Sequence, residues 1–220
     1  DVVPVFTALV NEVSALLDMD TPQAEILLRS EKWNKERLIN SYFEDPENCK
    51  EKCGLKHYDR AIIERLGSMV LKEDGEGELR VESVKSEGGK EEKDEGENFN
   101  CRICRVEQPS KEAIHMGCDH KFCSDCYRGY VVNAVGTGPA CILLNCPEHK
   151  CDEALPSTLF EKLCDEKSLK RYRQFVLRHY VEQSKTLRFC PAPGCEKIAM
   201  GSGVNRVTCD CGHNFCFKCG

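Results

Sequence analysis

Cysteine pairs separated by two residues recur through the second half of the chain, and a backbone turn at that spacing aims two sulfurs at one point. Cys101-x2-Cys104 is followed by Cys118-x-His120, Cys123-x2-Cys126 and Cys146-x4-Cys151. Farther on come Cys190-x4-Cys195, Cys209-x-Cys211 and Cys216-x2-Cys219. Thiolate and imidazole donors at such steps are the chemistry of zinc held in closed, structural sites. A disulfide framework is the rival reading. It belongs to short secreted chains led by a signal peptide, and 17 cysteines would leave one thiol over. The opening residues, DVVPVFTALV, carry no basic n-region and no cleavage site. The chain also starts with Asp rather than Met, so the expectation is an excised fragment of an intracellular protein, cytoplasmic or nuclear.

The first block supplies eight ligands, enough for two tetrahedral sites. Alternation predicts cross-bracing: Cys101, Cys104, Cys123 and Cys126 around one ion, Cys118, His120, Cys146 and Cys151 around the other. Interleaved sites tie distant segments together, which lets a region with few apolar residues fold. Spacing leaves one choice open, because Cys141-x4-Cys146 has the same step as Cys146-x4-Cys151. The second block gives one complete four-thiolate site, from Cys190, Cys195, Cys209 and Cys211. Cys216 and Cys219 make half of another. His213, between two ligand pairs, reads as a loop histidine. Cys164 precedes Asp165 and Glu166, whose charges raise a thiol pKa, so it is no nucleophile. Cys141 has no neighbouring histidine or basic residue to activate it, and Cys49 and Cys53, one helical turn apart in a Lys/Glu-rich stretch, are a half-site without partner ligands.

Helices must carry these loops. Phe6, Leu9, Val10, Val13, Leu16 and Leu17 recur on one helical face. Thr21-Pro22 starts a second helix, and Asn34 caps a third that ends at Asp45-Pro46. Residues 1–48 therefore read as a small three-helix domain, and residues 49–71 as a connecting helix over His57 to Leu71. Residues 72–99 hold 11 acidic and 5 basic side chains with five glycines, the composition of a flexible linker. Residues 100–155 are the first cysteine-rich module, with a helix near Asp125 to Val135. Two linking helices fill 156–187, and the second module spans 188–220. The fold class is thus a small multi-domain protein, mostly α, with zinc-stabilised irregular and short-β modules.

The formal charge of −6 sits entirely in the acidic stretch, since the remaining 26 acidic and 26 basic side chains cancel. Duplex-binding domains show a net basic field, so nucleic acid is not an expected partner. No run of 18 apolar residues exists to span a membrane.

The segments CRIC, CDHKFCSDCYRGY, NCPEHKCD, FCPAPGC and CDCGHNFCFKCG together resemble the RING-in-between-RING (RBR) ubiquitin ligases. LLRSEKWNKERLINSYFEDPE is similar to the ubiquitin-associated-like (UBA-like) domain of the Ariadne subfamily. The resemblance implies a UBA-like domain, a RING holding two zinc ions, linking helices and a partial in-between-RING (IBR) domain with one complete zinc site and one incomplete. It chooses Cys146 and Cys151 as the final RING pair and leaves Cys141 outside. It implies that Ile103 and Pro147 contact a ubiquitin-conjugating enzyme charged with ubiquitin. Ubiquitin, or a ubiquitin-like modifier carried by cullins, is the expected ligand of the N-terminal domain. Asp152 stands where one-step RING ligases often carry an Arg that clamps the charged enzyme, and a carboxylate cannot donate those bonds. The expected parent is a ubiquitin transferase, of which this chain recruits the conjugating enzyme but lacks the second RING with its relay cysteine. The alternative is a non-catalytic zinc adaptor that binds conjugating enzyme or ubiquitin.

Overall fold

The computed structural model describes residues 2–67, 69–73, 79–83, 98–110, 113–201 and 206–217. In chain order the helices are α1 (Val3–Leu16), α2 (Thr21–Ser30), α3 (Lys35–Glu44), α4 (Pro46–Lys52) and α5 (Arg60–Gly67), followed by α6 (Ser124–Thr137), α7 (Ser157–Leu163) and α8 (Glu166–Gln183). Among the described residues, five two-stranded antiparallel sheets lie between and after them. They pair β1 (Met69–Glu73) with β2 (Leu79–Ser83), β3 (Asn98–Asn100) with β4 (Glu107–Pro109), and β5 (Ala113–Ile114) with β6 (Phe122–Cys123). Near the end, β7 (Leu187–Phe189) pairs with β8 (Ile198–Met200) and β9 (Arg206–Thr208) with β10 (Asn214–Cys216). Two units divide the chain, Asp1–Asn40 with Gln174–Gly220, and Ser41–Arg173. Among the described residues no helix is long and apolar enough to cross a membrane.

In the first unit α1 packs on α2 through Val10, Val13, Ala24, Leu27 and Leu28, all buried at three-and-four spacing. The cap of α2 is Asp20 rather than Thr21: its N–H donates to Gln23 Oε1 at 3.3 Å, and Pro22 sits in the first turn, where its missing N–H costs nothing. The chain leaves α2 through Lys32 and Trp33, both left-handed with φ of 55° and 60°. That conformation strains a bulky residue, and the Trp33 ring holds it in place. The indole lies 5.2 Å from Phe6 and 5.6 Å from Tyr180, and its N–H donates to His179 Nδ1 at 2.8 Å.

The last bond makes the unit pH-sensitive in a predictable direction. Nδ1 accepts only while it carries no proton. Burial holds His179 below its ordinary value of 6.5, Arg29 pushes the same way, and Glu182 opposes them. A depressed folded-state value means that the contribution is complete above the unfolded pKa of about 6.5 and is lost as pH falls from there through the folded value. The effect is of the order of 1 kcal/mol, one neutral hydrogen bond. Trp33 is the single tryptophan of the sequence, so its emission reports the event directly. Emission should change between pH 7 and pH 5 in the native chain, and His179→Gln should abolish that titration.

The second unit is built on α6, whose Tyr127, Val131 and Val135 form one buried face. Leu159, Phe160 and Leu163 of α7 are fully buried, and Phe160 stacks on Tyr172 with centroids 4.0 Å apart. The stretch expected as one connecting helix over residues 57–71 is different here. The helix α5 stops at Gly67, a residue that readily leaves helical geometry, and β1 begins at Met69. Its partner β2 falls within residues 72–99, so the start of the expected linker is a hairpin, with β1 against α7 and β2 against α6. Residues 84–97 of that stretch lie outside the described residues.

Candidate metal centre

Short turns between strands present each ligand pair. Between β3 and β4 the chain turns through Cys101 to Val106: Cys101 N–H donates to Val106 C=O at 3.1 Å and Arg105 N–H to Cys101 C=O at 2.7 Å. Arg105 takes a left-handed φ of 60° to close that knuckle. Between β5 and β6 lie Cys118 and His120, on either side of Asp119 at φ 56°. Cys123 ends β6 and caps α6, which places Cys126 in the first helical turn. The loop from Cys146 to Cys151 is closed by Cys146 N–H to Glu153 C=O at 2.8 Å and turns at Lys150, φ 62°.

The same construction serves the second block. Cys190 N–H donates to Lys197 C=O at 2.9 Å and Cys195 N–H to Ala192 C=O at 3.0 Å, with Gly194 at φ 74° supplying the turn between β7 and β8. Between β9 and β10, Cys209 N–H donates to His213 C=O at 2.8 Å. Cys190, Cys209 and Phe215 form a small buried cluster against Ala199 and Val207.

These turns gather three groups of four donors: Cys101, Cys104, Cys123 and Cys126; Cys118, His120, Cys146 and Cys151; and Cys190, Cys195, Cys209 and Cys211. Within each group all ligand atoms lie within 4.8 Å of one another. Four sulfurs at the corners of a tetrahedron about 2.3 Å from a zinc ion stand about 3.8 Å apart. Cys104 Sγ lies 3.9 Å from Cys123 Sγ, Cys190 Sγ 3.7 Å from Cys211 Sγ, and Cys195 Sγ 3.8 Å from Cys209 Sγ. Cys146 Sγ lies 3.7 Å from His120 Nδ1. Disulfide sulfurs would stand about 2.05 Å apart, so these are two groups of four thiols and one of three thiols with an imidazole, with the donors and spacing that bind zinc.

Crowding three or four sulfurs also divides their protonation. The bond from Cys146 leads the effects that lower Cys118 to about 5, while the bond to Cys118 and burial push Cys146 far up. Burial raises Cys101, but N–H donors from Cys123, Cys104 and Ile103 outweigh it and bring the thiol to about 6. A dication at the centre is the charge that lets all the donors of such a group ionise together.

Cys141 joins none of the groups; it is buried in the 3-10 turn Pro139–Leu143. Cys216 ends β10, in no group of three or more donors among the described residues, and Cys219 lies outside them. Ile103 is 46% exposed on the first knuckle and Pro147 is half-buried on the Cys146–Cys151 loop. Sequence reasoning missed the exposed apolar residues Val106 and Leu143, and the segment Gly54–His57. Ala154 N–H donates to Gly54 C=O at 2.7 Å and His57 N–H to the buried Glu153 carboxylate at 3.3 Å, so that segment lines the module. Only Gly54 and Gly117 hinted at it.

Comparison with known proteins gives similarity in two regions and over nearly the whole length. Residues 170–220 match the family described as the IBR domain, a half RING-finger domain. Residues 7–44 match the UBA-like domain of the E3 ubiquitin-protein ligase ARIH1. The E3 ubiquitin-protein ligase dbl4 of Schizosaccharomyces pombe is 31% identical over 96% of this chain and 37% of its own length. The putative E3 ubiquitin-protein ligase ARI6 of Arabidopsis thaliana is 29% identical over 96% of this chain and 33% of its own. The chain thus spans about a third of the length of the curated relatives it matches. A solved structure of Pediculus humanus Parkin bound to phospho-ubiquitin aligns with 54% of this chain and 42% of its own at 24% identity, with a TM-score of 0.43.

Proposed function

We propose, from the premise that the chain is a segment of an Ariadne-type RBR protein, that it recruits a charged ubiquitin-conjugating enzyme within a ubiquitin ligase. The observation that supports the reading is the interleaving of the two tetrads at Cys101–Cys126 and Cys118–Cys151, the alternation that a cross-braced RING requires. Two zinc ions belong to that RING and a third to Cys190, Cys195, Cys209 and Cys211. Cys216 and Cys219 supply half of a fourth site. Structural zinc of this kind performs no chemistry; it fixes the loops that carry Ile103 and Pro147. The first three helices form the UBA-like domain, whose ligand is ubiquitin or the ubiquitin-like modifier of cullins.

Recruitment is not transfer. A relay cysteine needs a thiolate and a positioned base. Burial and Asp165 push Cys164 up to about 11. Cys141 is buried in its turn, and Cys49 is buried with Sγ 4.0 Å from the Ser41 hydroxyl. None of the three is an activated nucleophile. Asp152, exposed beside the last RING ligand, cannot donate to the conjugating enzyme and ubiquitin as an Arg would. Mixed with a charged conjugating enzyme and resolved on a non-reducing gel, the chain should show no thioester-linked ubiquitin and little stimulated discharge onto lysine. A thiol-sensitive adduct abolished by Cys141→Ala or Cys164→Ala would contradict this.

A further inference from the structure

The donor groups fix the base of each loop but not the distance between the loops. Cys101 and Cys104 belong to one tetrad, Cys146 and Cys151 to the other, so the tips carrying Ile103 and Pro147 stand on different tetrads. Arg102 precedes Ile103 and Glu148 follows Pro147. The Arg102 Nη1 group donates to Glu148 Oε2 at 2.6 Å, a bond joining positions 46 residues apart. Glu148 is further tied at its backbone, whose C=O accepts from Cys151 N–H at 3.1 Å.

We propose that Arg102 and Glu148 are positioning residues, an ion-pair clasp that sets the separation of the two conjugating-enzyme loops. The proposal rests on the docking reading above. With Glu148 as its partner, the Arg102 guanidinium is committed within the chain. A clasp and a guanidinium that reads an acidic group on the bound enzyme therefore predict opposite outcomes for charge exchange.

The test uses the whole chain, zinc-loaded, with four variants: Arg102→Ala, Arg102→Glu, Glu148→Arg and the exchanged double variant Arg102→Glu/Glu148→Arg. Exposed pairs are modest, so Arg102→Ala should weaken binding of an uncharged conjugating enzyme by about two- to five-fold. The two single reversals should weaken it further, and the exchanged pair should restore affinity to within about two-fold, with unchanged zinc content throughout. Failure of the exchanged pair to restore affinity overturns the clasp in favour of direct reading of the partner. Unchanged affinity in the single variants overturns it as well. A second readout is independent of any partner: the Cδ1 methyl group of Ile103 should gain mobility by NMR relaxation in each single variant and lose it again in the exchanged pair. If the native chain binds no conjugating enzyme, the docking reading fails, and the clasp stands or falls on the Ile103 methyl alone.

Discussion

Replacing Cys146 with serine should cost the chain about one of its zinc ions and unfold the module around it, whereas Cys141→Ser should leave zinc content unchanged. Cys146 is one of four donors gathered with Cys118, His120 and Cys151, and its N–H closes the loop on Glu153. Closed tetrahedral sites contribute folding free energy of the order of 10 kcal/mol, more than a small domain's whole stability. Losing one sulfur removes most of that at this site. The effect spreads because the tetrads alternate along the chain: Cys118 and His120 lie between the two ligand pairs of the other site. A strong chelator should therefore melt residues 98–155 as one cooperative block. Elemental analysis beside far-ultraviolet circular dichroism checks both points, and the reverse pattern in the two serine variants would show that the wrong pair has been chosen.

The second large effect is expected at a glycine. A Cβ on Gly117 would stand 1.3 Å from the His57 carbonyl oxygen and 2.3 Å from its carbon. Both are backbone atoms, so no side chain can swing aside. Gly117→Val must lift Gly54–His57 off the module, with loss of the Ala154–Gly54 bond and of the donor to Glu153. Burial already raises Glu153 to about 7, and the His57 N–H is what opposes that rise. Losing two hydrogen bonds and the packing beneath them should cost about 3 kcal/mol, or a melting point lower by about 10 °C. Amide exchange at Ala154 should accelerate by about a hundredfold or more. His57→Gly should not rescue the variant, because the clash is with a carbonyl that every residue carries.

The ligand pairs were legible because a cysteine's chemistry and its short step to the next are both written locally. Which pair completes the second tetrad was not legible from spacing, since Cys141, Cys146 and Cys151 stand at equal steps; the structure gathers Cys146 and Cys151 with Cys118 and His120 and leaves Cys141 in a 3-10 turn. Helix spacing placed α6, α7 and α8 closely, because their apolar faces repeat several times. It overran α5, where the periodic positions Tyr58, Ile62, Leu66 and Met69 continue past the Gly67 stop. Strands β1 and β2 were hidden by composition: acidic and glycine-rich text reads as linker, and their packing on α6 and α7 is non-local. The left-handed Trp33 and the Gly54–His57 segment were invisible for the same reason, as each is held by groups about 100 or more residues away.

The zinc-braced loops carrying Ile103 and Pro147 are proposed to dock a ubiquitin-conjugating enzyme. Calorimetric titration of a panel of such enzymes into the zinc-loaded chain tests it most directly. Saturable one-to-one binding by at least one of them is expected, modest in strength as befits a small interface, and weakened about tenfold or more by Ile103→Ala at full zinc content. Absence of binding across the panel, or binding that Ile103→Ala leaves untouched, would contradict it.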